Sequence, residues 1–439
     1  MPNLASYFFT DFQEGELRKF LLLSTIFAFI VGTYWFLRPI KDGVFITMLG
    51  TQYLPYAKIL SVIIIIPLIT FYGKLVDLFS RDKVFYILSF LFGLITLIFA
   101  YLIMHPTYGM YSTEKSLAQV VIGVSLCVYI KIFGSVMVAL FWSFVADTTT
   151  PESAKRGYSI IAIGGQIGNI IGPLIVGTFA ARCGVAFLAL ISAIVMFLFI
   201  PLMFYFTKTV PDCNLIGFQG KNSKEVVHDK LGLFDGFKFL ISNPYLLSIY
   251  GIISIFEVVQ AIFDFRFKSL ASLYYSGDQL IQYFGNFGAV TGVAAILCAF
   301  LGTQRITKFF GFTAALLILP VSLFILVFFN TYSHLTVAMW ALILTRAINY
   351  ALNQPSKEQL YITTSKEAKY KAKAWIEIFG TRTSEAFAQS VNIAKVSLGE
   401  YFLIFSTLLS FGLLGVWLVL ALFLGKKYQQ AVDNNKFIC

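Results

Sequence analysis

AQVVIGVSLCVYIKIFGSVMVALFWSFVA, residues 118–146, is an apolar run of 29 residues with a single charge, Lys131, near its middle. A helix rising 1.5 Å per residue needs about 20 residues to cross the hydrocarbon core of a bilayer, so this run is long enough. An ammonium group at that depth costs about 2.5–3.5 kcal/mol on insertion scales unless it faces protein or a water-filled cavity. The run therefore predicts a membrane-spanning helix, and its lysine predicts a path for something charged.

Further apolar runs of comparable length occupy residues 19–49, 56–74, 84–104, 157–180, 184–207, 246–267, 281–302, 311–329, 333–353, 373–397 and 400–424, which with 118–146 gives twelve predicted spans. The first exceeds what a bilayer needs and contains the Arg38 to Asp42 polar island, so a tilt or a break is expected there. The 439 residues are 58% hydrophobic and 13% charged, with mean hydropathy +0.80, which excludes an ordinary soluble domain. The fold class expected is an all-α polytopic membrane protein, embedded in the lipid bilayer.

A net charge of +11 raises the question of nucleic acid, but the basic residues are spread over helix ends and form no basic domain, so no nucleic-acid partner is expected. Arg18, Lys19, Lys74, Arg81, Lys83, Lys155, Arg156, Arg305, Lys308, Lys366 to Lys371, Lys426 and Lys427 fall on one side of the predicted spans; the other holds little beyond Lys115 and Arg182. By the positive-inside rule both termini are cytoplasmic. The stretch from Glu14 to Lys19 leads into the first run without a small-residue cleavage site, as in a retained helix. Cys127, Cys183, Cys213, Cys298 and Cys439 form no C-x-x-C pair, and His105, His228 and His334 fall in predicted loops, so no metal site, cofactor or disulfide framework is expected. No nucleophile or acid–base dyad stands out either, which argues against an enzyme with catalytic residues.

The chain repeats itself. Thr149-Thr150-Pro151-Glu152-Ser153-Ala154-Lys155, before the fifth span, returns as Thr363-Thr364-Ser365-Lys366-Glu367-Ala368-Lys369 before the eleventh. A weaker echo joins Gly73 to Arg81 with Gly302 to Lys308. The expected organisation is an N-terminal six-helix half (1–207), a polar cytoplasmic linker (208–245) and a C-terminal six-helix half (246–439), a major-facilitator-like plan with the substrate near the midplane.

Three helical stripes carry the candidate site. Tyr34, Arg38 and Lys41 share a face of the first span, with Asp42 four residues after Arg38 and close enough to pair with it. Glu257, Gln260, Asp264 and Lys268 recur at helical spacing in the seventh. Thr381, Arg382, Glu385, Gln389 and Asn392 make a polar wall on the eleventh, preceded by Glu377. Each has a plainer alternative: a headgroup anchor for Arg38 and Lys41, a salt-bridge ladder for the seventh span, a gate for Arg382 and Glu385. Gly164, Gly168 and Gly172, like Gly288 and Gly292, read as ridges for close helix packing, while Gln166 and Asn169 beside the first ridge are candidate contacts to a base or sugar. The cations Arg38, Lys41, Lys131, Lys268 and Arg382 outnumber Asp264 and Glu385, and fixed positive charge in a low-dielectric site favours a polyanion. A phosphorylated solute fits: Arg forks grip phosphate oxygens, Lys acts as a point charge, and Tyr34, Trp35 and Phe267 are candidates for stacking. Gln260 and Gln389 join the polar contacts; Asp42, Glu257, Glu377 and Glu385 are read as gating or coupling groups, Asp264 or Glu385 being the carriers if protons are co-transported.

Leu37-Arg38-Pro39-Ile40-Lys41-Asp42, Phe239-Leu240-Ile241-Ser242-Asn243-Pro244-Tyr245 and Lys371-Ala372-Lys373-Ala374-Trp375-Ile376-Glu377 resemble blocks of the ATP/ADP translocases of plastids and obligate intracellular bacteria. The resemblance runs from about Glu14 to Leu424 with its blocks in order. It implies twelve helices and nucleotide transport across a bacterial inner membrane, as ATP-for-ADP exchange or as uptake with protons, by a monomer. It also implies that Lys41 matches the family's essential first-helix lysine, that Asp264 stands where a glutamate is usual, and that Arg382 replaces a lysine. Lys131 departs from the pattern, because the ATP/ADP exchangers carry a glutamate there. Two alternatives remain at this point: a facilitator-type carrier of another organic phosphate, such as a sugar phosphate or an NAD-like cofactor, and a receptor that kept the fold without transport.

Overall fold

The computed structural model describes residues 12, 15–78, 81–112, 116–211, 215, 233–301, 303–365, 372–434 and 437–438. Glu14, Lys115, Cys213, His228, Lys366 to Lys371, Cys439 and most of the 208–245 stretch lie outside them. Among the described residues there is no strand. Among the described residues eleven segments are long and apolar enough to span a bilayer, and the last, Thr381–Asn434, holds two helices.

The helices are α1 (Glu16–Leu49), α2 (Leu54–Leu78), α3 (Arg81–Met104), α4 (Leu117–Asp147), α5 (Pro151–Cys183), α6 (Val185–Thr209), α7 (Pro244–Tyr274), α8 (Gly277–Leu301), α9 (Thr303–Asn330), α10 (Leu335–Ile348), α11 (Thr381–Leu398) and α12 (Phe402–Asn434). Their ends have local causes. Ser116 and Gln119 form a capping box at the start of α4, each side chain accepting from the other's backbone N–H. Thr150 caps α5 with Pro151 in the first turn, where its missing N–H costs nothing. Gly399, at φ 53°, turns the chain between α11 and α12 in a conformation that an L side chain would strain.

The polar island leaves α1 unbroken. The helix runs 34 residues, about 50 Å, straight through Pro39, so the excess length is taken up as one long helix. Irregularity appears instead in the tenth and eleventh spans. A π-helical turn, Asn349–Asn353, follows α10 and leads into a further helix, Gln354–Leu360, carrying that span seven residues beyond the predicted 353. A second π-helical turn, Ile376–Gly380, leads directly into α11. Such turns hold one residue more than an α-turn and recur at functional sites.

The chain separates into two compact units, Met1–Leu49 with Ile63–Glu225 and Tyr275–Ala289, and Gly50–Val62 with Val226–Tyr274 and Val290–Cys439. In the first, α1 is the hub, packed against α5, α4 and α6, and α3 lies on α6. In the second, α7 is the hub, packed against α11, α10 and α12, and α9 lies on α12. Adding six to every helix number of the first scheme yields the second, which is what a parallel six-helix duplication produces.

The hubs are held by different means. A Cβ built on Gly164, Gly168 or Gly172 of α5 would fall 2.2, 2.3 and 2.3 Å from the carbonyl oxygens of Ser24, Ala28 and Gly32 of α1, so only glycine permits this approach. Between α7 and α11 an apolar patch of Val258, Ala261, Ile262 and Ala388 is flanked by polar bonds: the hydroxyls of Ser254 and Ser384 stand 2.7 Å apart, and Asn392 Nδ2 donates to Ala261 O at 3.1 Å.

Candidate functional site

In the first unit the charges gather along α1 and α4. Lys41 Nζ donates to Asp42 Oδ1 at 2.5 Å, and the Arg38 guanidinium lies 4.6 Å over the Trp35 ring. Tyr34 meets Trp35 edge-on at 5.9 Å. Gly134 of α4 lies against the Tyr34 ring, a Cβ there being 2.4 Å from it, and Gly123 lies against Leu49 and Phe45. The two helices thus run antiparallel in contact, which puts Lys131, three residues before Gly134, level with Arg38. Cys127, one turn further back, is a close electrostatic neighbour of Lys41. Asp42 is thus paired with the adjacent Lys41. Gln166 and Asn169 lie next to each other on α5, with Asn169 Nδ2 3.5 Å from Gln166 Oε1.

In the second unit the charges converge on one carboxylate. Asp264 Oδ2 accepts from Lys268 Nζ at 2.7 Å and from Lys58 Nζ at 2.8 Å, while Oδ1 accepts from an Arg346 guanidinium nitrogen at 2.9 Å. Asp264, Lys268 and Arg346 are only 5–6% exposed; the Lys58 side chain is 18% exposed. Charges removed from water this far are tolerated only when paired with good geometry, and here both carboxylate oxygens are engaged. Phe267, a candidate for stacking by sequence, is fully buried. Sequence reading missed Lys58 and Arg346. Both were visible as cations within apolar spans, Arg346 above all, since the ten residues before it, Val337 to Thr345 among them, carry no charge.

The remaining stripe members divide between two settings. Gln389 and Asn392 are buried, bonded to each other at 3.4 Å and, through Asn392, to α7. Arg382 and Glu385 form an ion pair at 3.8 Å with about a quarter of each side chain exposed. Glu257, two turns before Asp264, is an electrostatic neighbour of Lys357, and Gln260 is half-buried between them. Glu377 belongs to a cluster before α11: Lys373 Nζ bonds Glu358 at 2.7 Å, stands 3.7 Å from Glu377 and lies 5.3 Å over the Tyr361 ring. Burial pulls the Lys373 ammonium down, but the bond to Glu358 and the two carboxylates outweigh it and leave the group above the ordinary lysine range. Burial, then the charges of Glu377 and Glu358, push the Tyr361 hydroxyl up.

A groove of about 280 Å³ between α1, α5 and α6 is lined by Phe29, Phe36, Ile167, Ile171, Ile175 and Val195 among others and carries no charged side chain, so it does not suit an anion.

Two charge-bearing hubs, α1 and α7, in a duplicated six-helix scheme define a class: multi-pass membrane proteins of the major-facilitator type. Solved structures agree on the fold. A bacterial homologue of the iron transporter ferroportin superposes with TM-score 0.64 at 11% identity, covering 92% of this chain and 98% of that one. The nucleoside transporter NupG gives TM-score 0.58 at 14% identity, with 92% and 98% covered. Within that class the chain belongs to the TLC ATP/ADP transporter family, whose sequence model matches residues 2–428. Among its relatives, ADP,ATP carrier protein 1 of Chlamydia pneumoniae is 26% identical over 98% of this chain and 95% of its own length. ADP,ATP carrier protein 1 of Rickettsia bellii is 24% identical over 97% and 96%.

Proposed function

We propose that the protein is a secondary transporter of nucleotides, carrying ATP, ADP or another nucleoside di- or triphosphate by alternating access across a bacterial inner membrane, with both termini cytoplasmic and 208–245 as the linker between halves. The observation that carries this reading is the presence of two cation groups in a TLC-family chain: Arg38 and Lys41 on α1 with Lys131 of α4 level with Arg38, and Lys58, Lys268 and Arg346 around Asp264. Each matches the charge of a phosphate chain, and Tyr34, Trp35, Gln166 and Asn169 supply ring and amide groups near the first for a base or sugar. Arg382 with Glu385, and Glu377 with Lys373, are ion pairs of the kind that open and close with a transport cycle. No step requires catalysis or a cofactor.

Lys131 bears on the mode. Replacing the exchangers' glutamate by a cation raises the positive charge of the first group, which favours a more highly charged cargo or removes a carboxylate available for proton coupling. The test is uptake of radiolabelled ATP, GTP, CTP, UTP, ADP and NAD by a bacterium expressing the full chain and lacking its own route for intact nucleotides. Saturable uptake, abolished in Lys41→Ala, is expected; uptake of none of these labels by correctly inserted protein would overturn the proposal. Loss of uptake with a protonophore identifies proton coupling, and dependence on internal nucleotide identifies exchange.

A further inference from the structure

We propose that Lys58, Lys268 and Arg346 form a phosphate-binding subsite and that Asp264 is its built-in stand-in anion, occupying the subsite when substrate is absent and giving it up when a phosphate chain arrives. The inference rests on the reading of the protein as a carrier of phosphorylated solutes, and names where the phosphates sit.

Three cations from three helices aim their donors at the two oxygens of one carboxylate, at 2.7, 2.8 and 2.9 Å. A carboxylate held only for structure is satisfied by one such partner; each added cation brings its own desolvation and repels the others. The arrangement makes sense if the donors are built for an occupant with more charge and more oxygens than a carboxylate offers. A phosphoryl group presents oxygens at nearly the same spacing, carries more charge, and suits the Arg fork and lysine point charges. Lys58 is the natural entry, being the most exposed of the four.

The stand-in role makes a prediction of unusual sign. Removing a structural carboxylate weakens a site, whereas removing a competitor strengthens it. The probe is inorganic pyrophosphate, which carries the phosphate chemistry without a base or sugar, titrated calorimetrically into the purified full chain. Wild type is expected to bind; Asp264→Asn to bind about tenfold more tightly; Lys58→Gln and Arg346→Gln about tenfold more weakly, the loss of one charged hydrogen bond. If Asp264→Asn is too unstable to purify alone, purification in pyrophosphate with exchange into decreasing concentrations reads the same quantity as retained folded protein. The double variant Lys58→Gln/Asp264→Asn, closer to charge balance, is expected to fold and to bind like wild type within a few-fold. Weaker binding in Asp264→Asn, or unchanged binding in both Lys58→Gln and Arg346→Gln, overturns the subsite. Nucleotide uptake is scored separately: pyrophosphate binding with this pattern but no nucleotide uptake defeats the proposed cargo and leaves the subsite standing.

Discussion

The two compact units share one packing scheme and differ in what sets the closest approach at each hub, although α1 and α5 also share the Glu16–Arg156 ion pair and α7 and α11 an apolar patch. α1 approaches α5 backbone to backbone because Gly164, Gly168 and Gly172 carry no side chain, and its charges are spread along the helix, Arg38 on an aromatic ring and Lys41 on its neighbour. α7 approaches α11 through hydroxyl and amide bonds, and its charges are drawn to the single point of Asp264. Duplication thus preserves which helices touch, while the means of touching and the placement of charge diverge. A close-packed seam resists sliding, since any shift drives carbonyls into side chains; a seam of hydroxyls and amides can exchange partners.

The contrast can be broken most forcefully at the charges. Asp264→Asn leaves the buried Lys268 and Arg346 and the half-buried Lys58 facing a neutral amide and is expected to cost about 3–5 kcal/mol, the range for breaking a buried pair. Asp42→Asn strips the ion pair with the single cation Lys41 and is expected to cost less. Thermal and denaturant unfolding of the detergent-solubilised variants measures both; equal losses would mean that the charges of the two halves are held alike. The seams come next. Gly168→Ala puts a methyl 2.3 Å from Ala28 O and 2.8 Å from Gly32 N, both backbone atoms that cannot swing aside, and is expected to cost roughly 1–3 kcal/mol. A neutral outcome in the same assay would show that α1 and α5 are looser than drawn. Smallest is Asn392→Ala, which removes the donor to Ala261 O; bonds between membrane helices average about 0.6 kcal/mol, and Asn392 Oδ1 has no partner to lose. A loss above about 2 kcal/mol there would mean that the polar seam is as rigid as the glycine seam.

The fold was legible because a bilayer enforces it. Long apolar runs have no alternative to the helix. Much of the candidate site was legible for a related reason: ionisable groups such as Arg38, Lys41, Lys131 and Asp264 are conspicuous against lipid. What stayed hidden was partnership. Helical spacing pairs residues within one helix, so it found Asp264 with Lys268 and suggested Arg38 with Asp42, but it is silent on contacts between distant helices. Lys58 lies 206 residues from Asp264 and Arg346 lies 82, and no period connects them. Phe267 looked like an available ring because its neighbours in sequence are charged, but burial in a packed helix bundle is set by contacts with other helices, which no spacing along α7 reveals.

The π-helical turns at Asn349–Asn353 and Ile376–Gly380 set a limit on that kind of reading. Each slips one extra residue into its helix, which puts everything downstream about 100° out of phase with everything upstream. A helical wheel drawn continuously through either span is therefore wrong beyond the insertion: Arg346 and Lys357, on opposite sides of the first, do not keep the bearing their numbering suggests, and neither do Lys373 and Glu385 on opposite sides of the second. Phase, once set, is also something a helix can reset. Absorbing the extra residue would swing one end of such a span against the other by more than a quarter of a circle, with little change in length, as a key turns in a lock without being withdrawn.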